Sequence, residues 1–299
     1  MMSAIQAIVT APPYAPFLED VAKHRMVCGL RFNTVMPLTE SREAVLERLA
    51  GLGCPLWVDL KGRQLRVTEA AVPPYTEVRL SHRIVVKTPV DVYFSGGRER
   101  ARAVAVDGNR LILGDGPHRL VGPGESVNIV DPSLQIEGGL TDTDRAYLAA
   151  MKSLGQRNVM LSYVHGSEDI DAVREVLPDA EVIVKIEDDR GLAFARKHGA
   201  ALGRLMAARG DLFVEVLRPH RIAGALKTII AADAEAVVAS RLFHSLVEHP
   251  VPNCADIGDV AFLLEIGYRT FLFGDAICFD GHTVMEALNL LQALAAELT

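Results

Sequence analysis

Three charged residues in the second half of the chain have the types and spacing to do chemistry. Lys185 and Glu187 belong to the apolar stretch that begins at Val182. They are two positions apart, so on a β-strand both side chains point to the same face. Asp211 follows the next apolar run. One ammonium group and two carboxylates at neighbouring strand ends suit a divalent cation and an anionic substrate, because Mg²⁺ needs only one or two protein carboxylates. The alternative is a set of buried ion pairs inside a barrel.

The elements that must position these residues alternate between strands and helices. A helix from Gly191 to Gly203 is predicted to connect the two runs, and the second run is predicted to be a strand that ends at Arg209-Gly210-Asp211. Eight strands with helices between them indicate an α/β TIM (β/α)8 barrel, which fits within 299 residues. The predicted strands are Ile5–Thr10, Val27–Phe32, Pro55–Leu60, Val159–Val164, Val182–Ile186, Leu205–Ala208, Ala236–Ser240 and Thr270–Gly274.

One region interrupts this alternation. Between about Arg66 and Gly138 the sequence has short alternating runs separated by glycine-rich turns, with no helical periodicity. This pattern is typical of a small antiparallel β domain. We therefore expect a barrel formed by residues 1–66 and 139–299, with a β-rich lid domain inserted at residues 67–138.

Composition excludes several classes of protein. The net charge of −7 and the pI near 5.7 argue against a nucleic-acid surface. No apolar run is long enough to span a bilayer, and the first residues lack the basic region of a signal peptide. The four cysteines are far apart in sequence, as in a protein with reduced thiols. Together these features predict a cytoplasmic globular enzyme without nucleic-acid or membrane partners.

Several ordered motifs resemble the pyruvate kinase family. Lys185-Ile186-Glu187-Asp188 resembles its KIEN segment, and the segment Ala207–Val216 resembles its ARGDLGVE segment. Further similar segments are Leu30–Asn33, Asp59–Arg66, Leu140–Asp144, Ala239–Leu242 and Pro252–Val260. The β insertion matches the mobile lid of that family in position. The resemblance also implies that the C-terminal regulatory domain of the family is lacking, and it leaves homo-oligomer formation open.

The resemblance implies a role for each matching residue. Glu187 and Asp211 would hold Mg²⁺ or Mn²⁺, and Lys185 would lie against the phosphoryl or enolate oxygen. The implied catalytic residues are Lys185, Ser240 and Arg31; the substrate-binding residues are Arg31, Gly210, Asp211 and Ser240; the cofactor-binding residues are Asn33, Asp59 and Arg66. The implied ligands are phosphoenolpyruvate, pyruvate or another 2-oxo acid, together with ADP or ATP.

Some positions depart from the family pattern. Val35 and Leu60 replace two hydroxyl side chains of the family's K⁺ site, so we do not expect K⁺ to bind. Glu125 stands where the family has a lysine that neutralises nucleotide phosphates, and a carboxylate would repel them. The first hypothesis is therefore a pyruvate kinase-like phosphotransferase with eroded K⁺ and nucleotide sites.

Two other hypotheses stay open. The protein could be a metal-dependent C–C lyase, aldolase or decarboxylase acting on a 2-oxo acid through the same enolate. It could instead be a catalytically silent protein that binds an oxo acid or a protein partner. Two polar residues have ordinary structural interpretations: His165 is expected at the rim of the barrel, and Glu215 is expected to pair with a nearby arginine such as Arg209.

Overall fold

A computed structural model describes residues 4–73, 76–216 and 218–298. Eight parallel strands close into a barrel in the spatial order β1-β15-β14-β13-β12-β11-β3-β2. This arrangement confirms the predicted fold class, a TIM barrel with a small inserted β domain. The barrel strands are β1 (Gln6–Thr10), β2 (Val27–Asn33), β3 (Leu56–Leu60), β11 (Asn158–Leu161), β12 (Glu181–Ile186), β13 (Arg204–Ala208), β14 (Val237–Ala239) and β15 (Thr270–Phe273).

Helices surround the barrel. They are α1 (Leu18–Ala22), α2 (Arg42–Ala50), α3 (Asp142–Ser153), α4 (Ser167–Val176), α5 (Asp189–His198), α6 (Arg209–Glu215), α7 (Ile222–Ala232), α8 (Cys254–Glu265), α9 (Asp275–Cys278) and α10 (Gly281–Leu298). Short 3-10 helices span Pro219–Arg221 and His244–Val247. Within the described ranges, no helix is long and apolar enough to cross a membrane.

The inserted β module lies between β3 and α3 in sequence. One antiparallel sheet has the order β4-β8-β7-β6-β9, and β5 pairs with β10 in a second, two-stranded sheet. The module has its own apolar core, which is separate from that of the barrel. Its strands are β4 (Glu77–Arg79), β5 (Ile84–Val85), β6 (Val90–Phe94), β7 (Glu99–Asp107), β8 (Arg110–Asp115), β9 (Val127–Asn128) and β10 (Gln135–Ile136).

Alternation along β12 explains how the barrel positions its charged residues. Val182, Val184 and Ile186 belong to the cluster that packs against the outer helices. Ile183 belongs to the smaller cluster inside the barrel, with residues from other strands such as Met160 and Met206. Side chains alternate between faces, so Lys185 points inward with Ile183. The charged Lys185 therefore lies inside the barrel, near the carboxyl end of its strand.

Several element boundaries differ from the sequence prediction, and two of these differences bear on the candidate site. The helix predicted from Gly191 to Gly203 is α5, which begins at Asp189 and ends at His198; Asp188 caps its first turn by accepting a hydrogen bond from the Gly191 amide. The segment Arg209-Gly210-Asp211 does not end a strand. It forms the first turn of α6, so Asp211 lies on a helix that starts immediately after β13.

Candidate active site

All nine residues singled out from the sequence line one pocket of about 110 Å³ at the carboxyl ends of the barrel strands. The structure therefore brings together Arg31, Asn33, Asp59, Arg66, Lys185, Glu187, Gly210, Asp211 and Ser240. Carboxyl ends of strands are where barrel enzymes place their chemistry. Lys61, Gln64 and Asp275 also line this pocket and were not among the candidates.

Asp59 is the fully buried centre of a cluster of cations. Its Oδ1 accepts a hydrogen bond from Lys185 Nζ at 3.1 Å, and its Oδ2 accepts from Lys61 Nζ at 3.1 Å and from Arg31 Nε at 3.0 Å. Burial alone would raise the pKa of Asp59, but Lys185, Lys61 and Arg31 together hold it well below its usual value. Asp59 therefore stays ionised and fixes three cationic side chains around itself.

Lys61 is a functional candidate that sequence reasoning missed. It is 6% exposed, and burial is the main reason why its pKa falls to about 7, although Asp59 acts in the opposite direction. A lysine with such a pKa can gain or lose a proton near neutral pH. The available signal was its position two residues after Asp59, which places both side chains on one face of an extended chain.

Lys185 lies between carboxylates and one hydroxyl group. Its Nζ donates to Ser162 Oγ at 2.7 Å and lies 3.3 Å from Glu187 Oε1. Burial opposes the charged form, but Asp59 and Glu187 outweigh it and raise the pKa of Lys185. The ammonium group is therefore charged at neutral pH and lies at the pocket.

Glu187 and Asp211 are two further carboxylates at the pocket. Glu187 is 2% exposed, and its Oε2 accepts a hydrogen bond from the Tyr163 amide at 2.8 Å. Burial is the largest reason why its pKa rises to about 7; Lys185 lowers the pKa and the nearby Asp211 raises it. This repulsion between like charges is the condition that a bound cation would relieve.

The β module takes part in the site through Asn128 on β9. Asn128 Nδ2 lies 3.0 Å from Asp211 Oδ1, and Gln64 Nε2 donates to Asp211 Oδ2 at 2.6 Å. Asn128 Nδ2 also lies 2.9 Å from Glu215 Oε1. The barrel carboxylate Asp211 is thus held by one residue from the inserted module and one from the segment that leads into it.

Arg31 and Asn33 share a second missed residue, Asp275. Arg31 Nη1 donates to Asp275 Oδ1 at 2.7 Å, and Asn33 Nδ2 donates to Asp275 Oδ2 at 2.8 Å. Asp275 begins α9 and is separated from the last barrel strand by Gly274 alone. An acidic residue at the end of a barrel strand was the sequence signal that could have identified it.

The loop after β14 holds Ser240 in an uncommon backbone conformation. Ser240 and Arg241 have φ values of 70° and 57°, in the left-handed region that non-glycine residues rarely occupy. Arg209 Nη2 donates to the Ser240 carbonyl at 2.7 Å, and Asp259 in turn accepts from Arg209 Nη1 at 2.7 Å. Such conformations persist only when surrounding contacts enforce them, and they concentrate at functional sites.

The prediction that Glu215 pairs with Arg209 was wrong. Arg209 pairs with Asp259, whereas Glu215 Oε1 accepts from Asn128 and from the Tyr163 hydroxyl at 3.3 Å. The two side chains separate because α6 is a helix rather than an extended strand.

His165, expected at the rim, forms a 2.7 Å contact between its Nε2 and Asp188 Oδ2 and lines a neighbouring cavity of about 250 Å³.

Two departures from the family pattern have structural consequences. Leu60 is fully buried, whereas the Val35 side chain is partly exposed. Glu125 accepts hydrogen bonds from Arg119 at 3.1 Å and from Ser95 Oγ at 2.7 Å. Burial would raise the pKa of Glu125, but these partners lower it. Because Arg119 offsets its charge, Glu125 repels a phosphate less than the sequence suggested.

No described group of three or more His, Cys, Asp or Glu side chains has the arrangement of a metal site. Glu187 and Asp211 nevertheless fit a cation such as Mg²⁺, which prefers oxygen ligands and takes most of them from water and substrate. Both carboxylates line one pocket, and the charge of Asp211 raises the pKa of Glu187, so a cation held between them would relieve their repulsion.

The fold and the pocket define a (β/α)8-barrel protein with a polar pocket, rich in buried charges, under an inserted β module. The sequence model of the family described as "Pyruvate kinase, barrel domain" matches residues 118–271, about half of the chain. The chain belongs to the pyruvate kinase family.

Its relatives include a pyruvate kinase from Borreliella burgdorferi, 23% identical, with an alignment that covers 100% of this chain and 68% of that protein. A pyruvate kinase from Methanocaldococcus jannaschii is 22% identical, with 99% and 69% covered. One from Agrobacterium vitis is 32% identical, with 62% and 40% covered. These similarities, over nearly the whole chain for the first two, support a pyruvate kinase-like enzyme.

Proposed function

We propose that the protein is a divalent-metal-dependent enzyme that acts on phosphoenolpyruvate, pyruvate or a similar 2-oxo acid. The observation that carries the proposal is the buried arrangement of Lys185 with Glu187 and its neighbour Asp211 in one pocket. A charged lysine beside two carboxylates at barrel strand ends is suited to a substrate that develops negative charge on oxygen.

Lys185 is the group that stabilises the developing oxyanion. Its ammonium is buried and hydrogen-bonded to Ser162, so it is oriented before substrate enters. A fixed charge in a site with little water stabilises a developing anion without reorganisation during the reaction. Glu187 and Asp211 would hold Mg²⁺ or Mn²⁺, which when bound supplies Lewis acidity to the same oxygen and to a phosphoryl group.

The remaining residues bind and orient the substrate. The backbone at Gly210 and Asp211, in the first turn of α6, provides amides for the substrate carboxylate. Arg31 is positioned by Asp59 and Asp275 to contact a phosphoryl group. The Ser240 hydroxyl lies at the same pocket, where the resemblance places the carbon that gains or loses a proton.

A K⁺ ion is not part of the proposed site. Asp59, the charged member of the family's K⁺ ligand set retained here, already contacts Arg31, Lys61 and Lys185. A further cation at Asp59 would be repelled by the positive charges of Arg31 and Lys185 within the same cluster. Arg66, the nucleotide-binding candidate, lines the pocket, and its Nη2 donates to Gln64 Oε1 at 2.6 Å. A nucleotide phosphate bound at this pocket would meet its guanidinium group.

The test measures enolisation and phosphoryl transfer separately. Wild-type protein with Mg²⁺ or Mn²⁺ is incubated with pyruvate and with other 2-oxo acids in D₂O, and deuterium incorporation is followed by NMR. A coupled assay with phosphoenolpyruvate and ADP measures phosphoryl transfer. We expect exchange in the first assay, with weaker ATP formation because the nucleotide side of the site departs from the family pattern.

The decisive variant is Lys185→Met, with Lys197→Met as the matched control. Lys197 is an exposed lysine near the end of α5. Removing a preorganised charge typically lowers the rate by about 10²–10³. We expect Lys185→Met to lose both activities and Lys197→Met to retain them. Circular dichroism verifies that both variants fold, and absence of exchange for every oxo acid, together with no ATP, would refute the proposal in favour of a silent binding protein.

A further inference from the structure

A separate cavity, of about 250 Å³, is enclosed between the barrel and the inserted β module. It shares no lining residue with the catalytic pocket, so a molecule bound there would not occupy the place of the substrate. An apolar cavity of about 150 Å³ can hold benzene. The cavity therefore has room for a ring with a short polar substituent.

The two parts of the protein supply walls of different character. The wall from the module is apolar and includes Val127, Ile129, Leu134 and Ile136. The wall from the barrel is polar and includes Tyr163, His165, Asp188 and Glu215. Sites for small molecules commonly combine an apolar lining with a few polar groups that orient the ligand. The division into two walls fits a small molecule with one apolar and one polar end.

The polar wall presents hydrogen-bond acceptors to the cavity. Glu215 accepts from Asn128 and Tyr163 through Oε1, whereas its Oε2 has no hydrogen-bond or ion-pair partner among the residues that the structure describes. His165 Nε2 lies 2.7 Å from Asp188 Oδ2 and donates to it, so Nδ1 of the neutral ring is an acceptor. Within the described ranges, Nδ1 has no hydrogen-bond partner either. A ligand that pairs with Glu215 and His165 must therefore donate hydrogen bonds.

The charge around Glu215 favours a positive donor. Burial is the largest reason why the pKa of Glu215 is raised, and the charges of Asp188 and Asp211 raise it further, although hydrogen bonds from Asn128 and Tyr163 act the other way. A positive group beside Glu215 would relieve this repulsion between carboxylates. An ammonium group is positive and has three N–H donors. It therefore meets both requirements of the polar wall.

The arginines that line the cavity have other partners. Arg63 Nη2 lies 2.8 Å from Asp169 Oδ1, and Arg190 Nη2 donates to the Leu134 carbonyl at 2.5 Å. Neither guanidinium group is among the charges that act most strongly on the pKa of Glu215. The cation that pairs with Glu215 would therefore come from the ligand.

The strand that lines the cavity also contacts the catalytic pocket. Val127 and Ile129 line the cavity, and Asn128 between them has its Nδ2 3.0 Å from Asp211 Oδ1. Asn128 is 1% exposed, and its buried Oδ1 has no hydrogen-bond partner among the described residues. Buried acceptors without a donor are uncommon in folded proteins. The packing of this strand therefore links the cavity to the position of Asp211.

We propose that this cavity binds a small amphipathic amine, with its apolar part against the module and its ammonium group at Glu215 and His165. Because both walls contact the amine, its binding stabilises the contact between module and barrel and holds Asn128 against Asp211. The amine is an effector rather than a substrate, since the cavity is separate from the catalytic pocket. This proposal goes beyond the proposed function and does not depend on it.

Binding is measured by fluorine NMR titration with three probes of similar shape: 4-fluorobenzylamine, 4-fluorobenzyl alcohol and 4-fluorobenzoate. The variant Glu215→Gln removes the carboxylate and keeps its shape, and Leu134→Trp reduces the volume of the cavity. The controls are Glu286→Gln and Leu120→Trp, at exposed positions that do not line the cavity. Circular dichroism verifies that each variant folds; if Leu134→Trp does not, Glu215→Gln and the three probes still decide the outcome.

We expect wild type to bind the amine, and the alcohol and the carboxylate to bind at least about tenfold more weakly, because a hydrogen bond to a charged group has roughly this effect on affinity. Both cavity variants should lose at least about tenfold in affinity for the amine, and both controls less than about twofold. Absence of amine binding to wild type would overturn the site. Equal affinity for amine and alcohol, or unchanged amine affinity in Glu215→Gln, would overturn the recognition of an ammonium group.

Hydrogen exchange followed by mass spectrometry tests the effect on the module. The amine should slow amide exchange both in residues 127–136 of the module and in residues 163–165 of the barrel. Protection of only one of these segments would overturn the stabilised contact between module and barrel. None of these measurements requires turnover, so their failure is distinguishable from failure of the proposed function, which is measured by deuterium exchange of 2-oxo acids.

Discussion

Glu215 is expected to be a neutral carboxylic acid at neutral pH. Burial is the largest reason why its pKa rises from 4.5 to about 8. Hydrogen bonds from Asn128 and Tyr163 lower the pKa, and the charges of Asp188 and Asp211 raise it. The side chain lies at the contact between α6 and the β module, since Asn128 belongs to β9. Ionisation of Glu215 would therefore add a third negative charge to those of Asp188 and Asp211.

The change Glu215→Gln removes this ionisation and keeps the shape of the side chain. The folded wild type binds a proton between about pH 4.5 and pH 8, whereas the unfolded chain has lost it above about pH 4.5. The free energy of unfolding of the wild type therefore falls as the pH rises through this window. Between about pH 6 and pH 8 the fall amounts to roughly 2 kcal/mol, and the variant lacks it.

Urea unfolding at several pH values measures the difference between the two proteins. We expect the stability of Glu215→Gln relative to wild type to increase with pH up to about 8 and then to level off. Glu286→Gln, at an exposed position on α10, is the control and should track the wild type. The infrared difference spectrum between wild type and Glu215→Gln should show, at neutral pH, the carbonyl band of one protonated acid that the variant has lost. A constant difference between variant and wild type, with no such band, would refute a neutral Glu215.

Three further predictions concern ions and folding. The double variant Glu187→Gln/Asp211→Asn should lose Mn²⁺ binding in calorimetry, whereas the control Asp189→Asn should retain it. Equal binding by the wild type and the double variant would eliminate this metal site. Activity should be unchanged when tetramethylammonium replaces K⁺, because the ammonium and guanidinium groups around Asp59 occupy its oxygens; a strong K⁺ requirement would contradict that. Asp144→Ala should lower the free energy of unfolding by about 3 kcal/mol, because this buried residue of the α3 capping box also accepts hydrogen bonds from the backbone amides of Lys61 and Gly62. The control Asp142→Ala, at an exposed position in the same turn, should have little effect, and equal losses would refute a special role for Asp144.

The sequence by itself determined the barrel and, through the family resemblance, nine of the residues that line its pocket. The order of apolar runs, turns and helical segments depends on local properties of the chain, and the eight strands close as expected. Alternation along β12 is also local, so spacing alone placed Lys185 on the same face as Ile183, and closure of the barrel makes that face the inner one. The nine candidate residues meet because the carboxyl ends of parallel strands share one end of the barrel.

Only the tertiary structure decided which charges pair. Arg31 contacts Asp275 across 244 positions of sequence, and Arg209 pairs with Asp259 rather than with Glu215. The sequence offers several carboxylates to each arginine. Which one pairs with it depends on how the barrel closes and on the residue at which α6 begins. The pKa values of Lys61 and Glu215 likewise depend on burial, which no local pattern specifies. Composition and spacing indicate which charged residues lie at the strand ends. Packing decides which residues they pair with and whether they are protonated, because pairing and protonation depend on distances between remote segments of the chain.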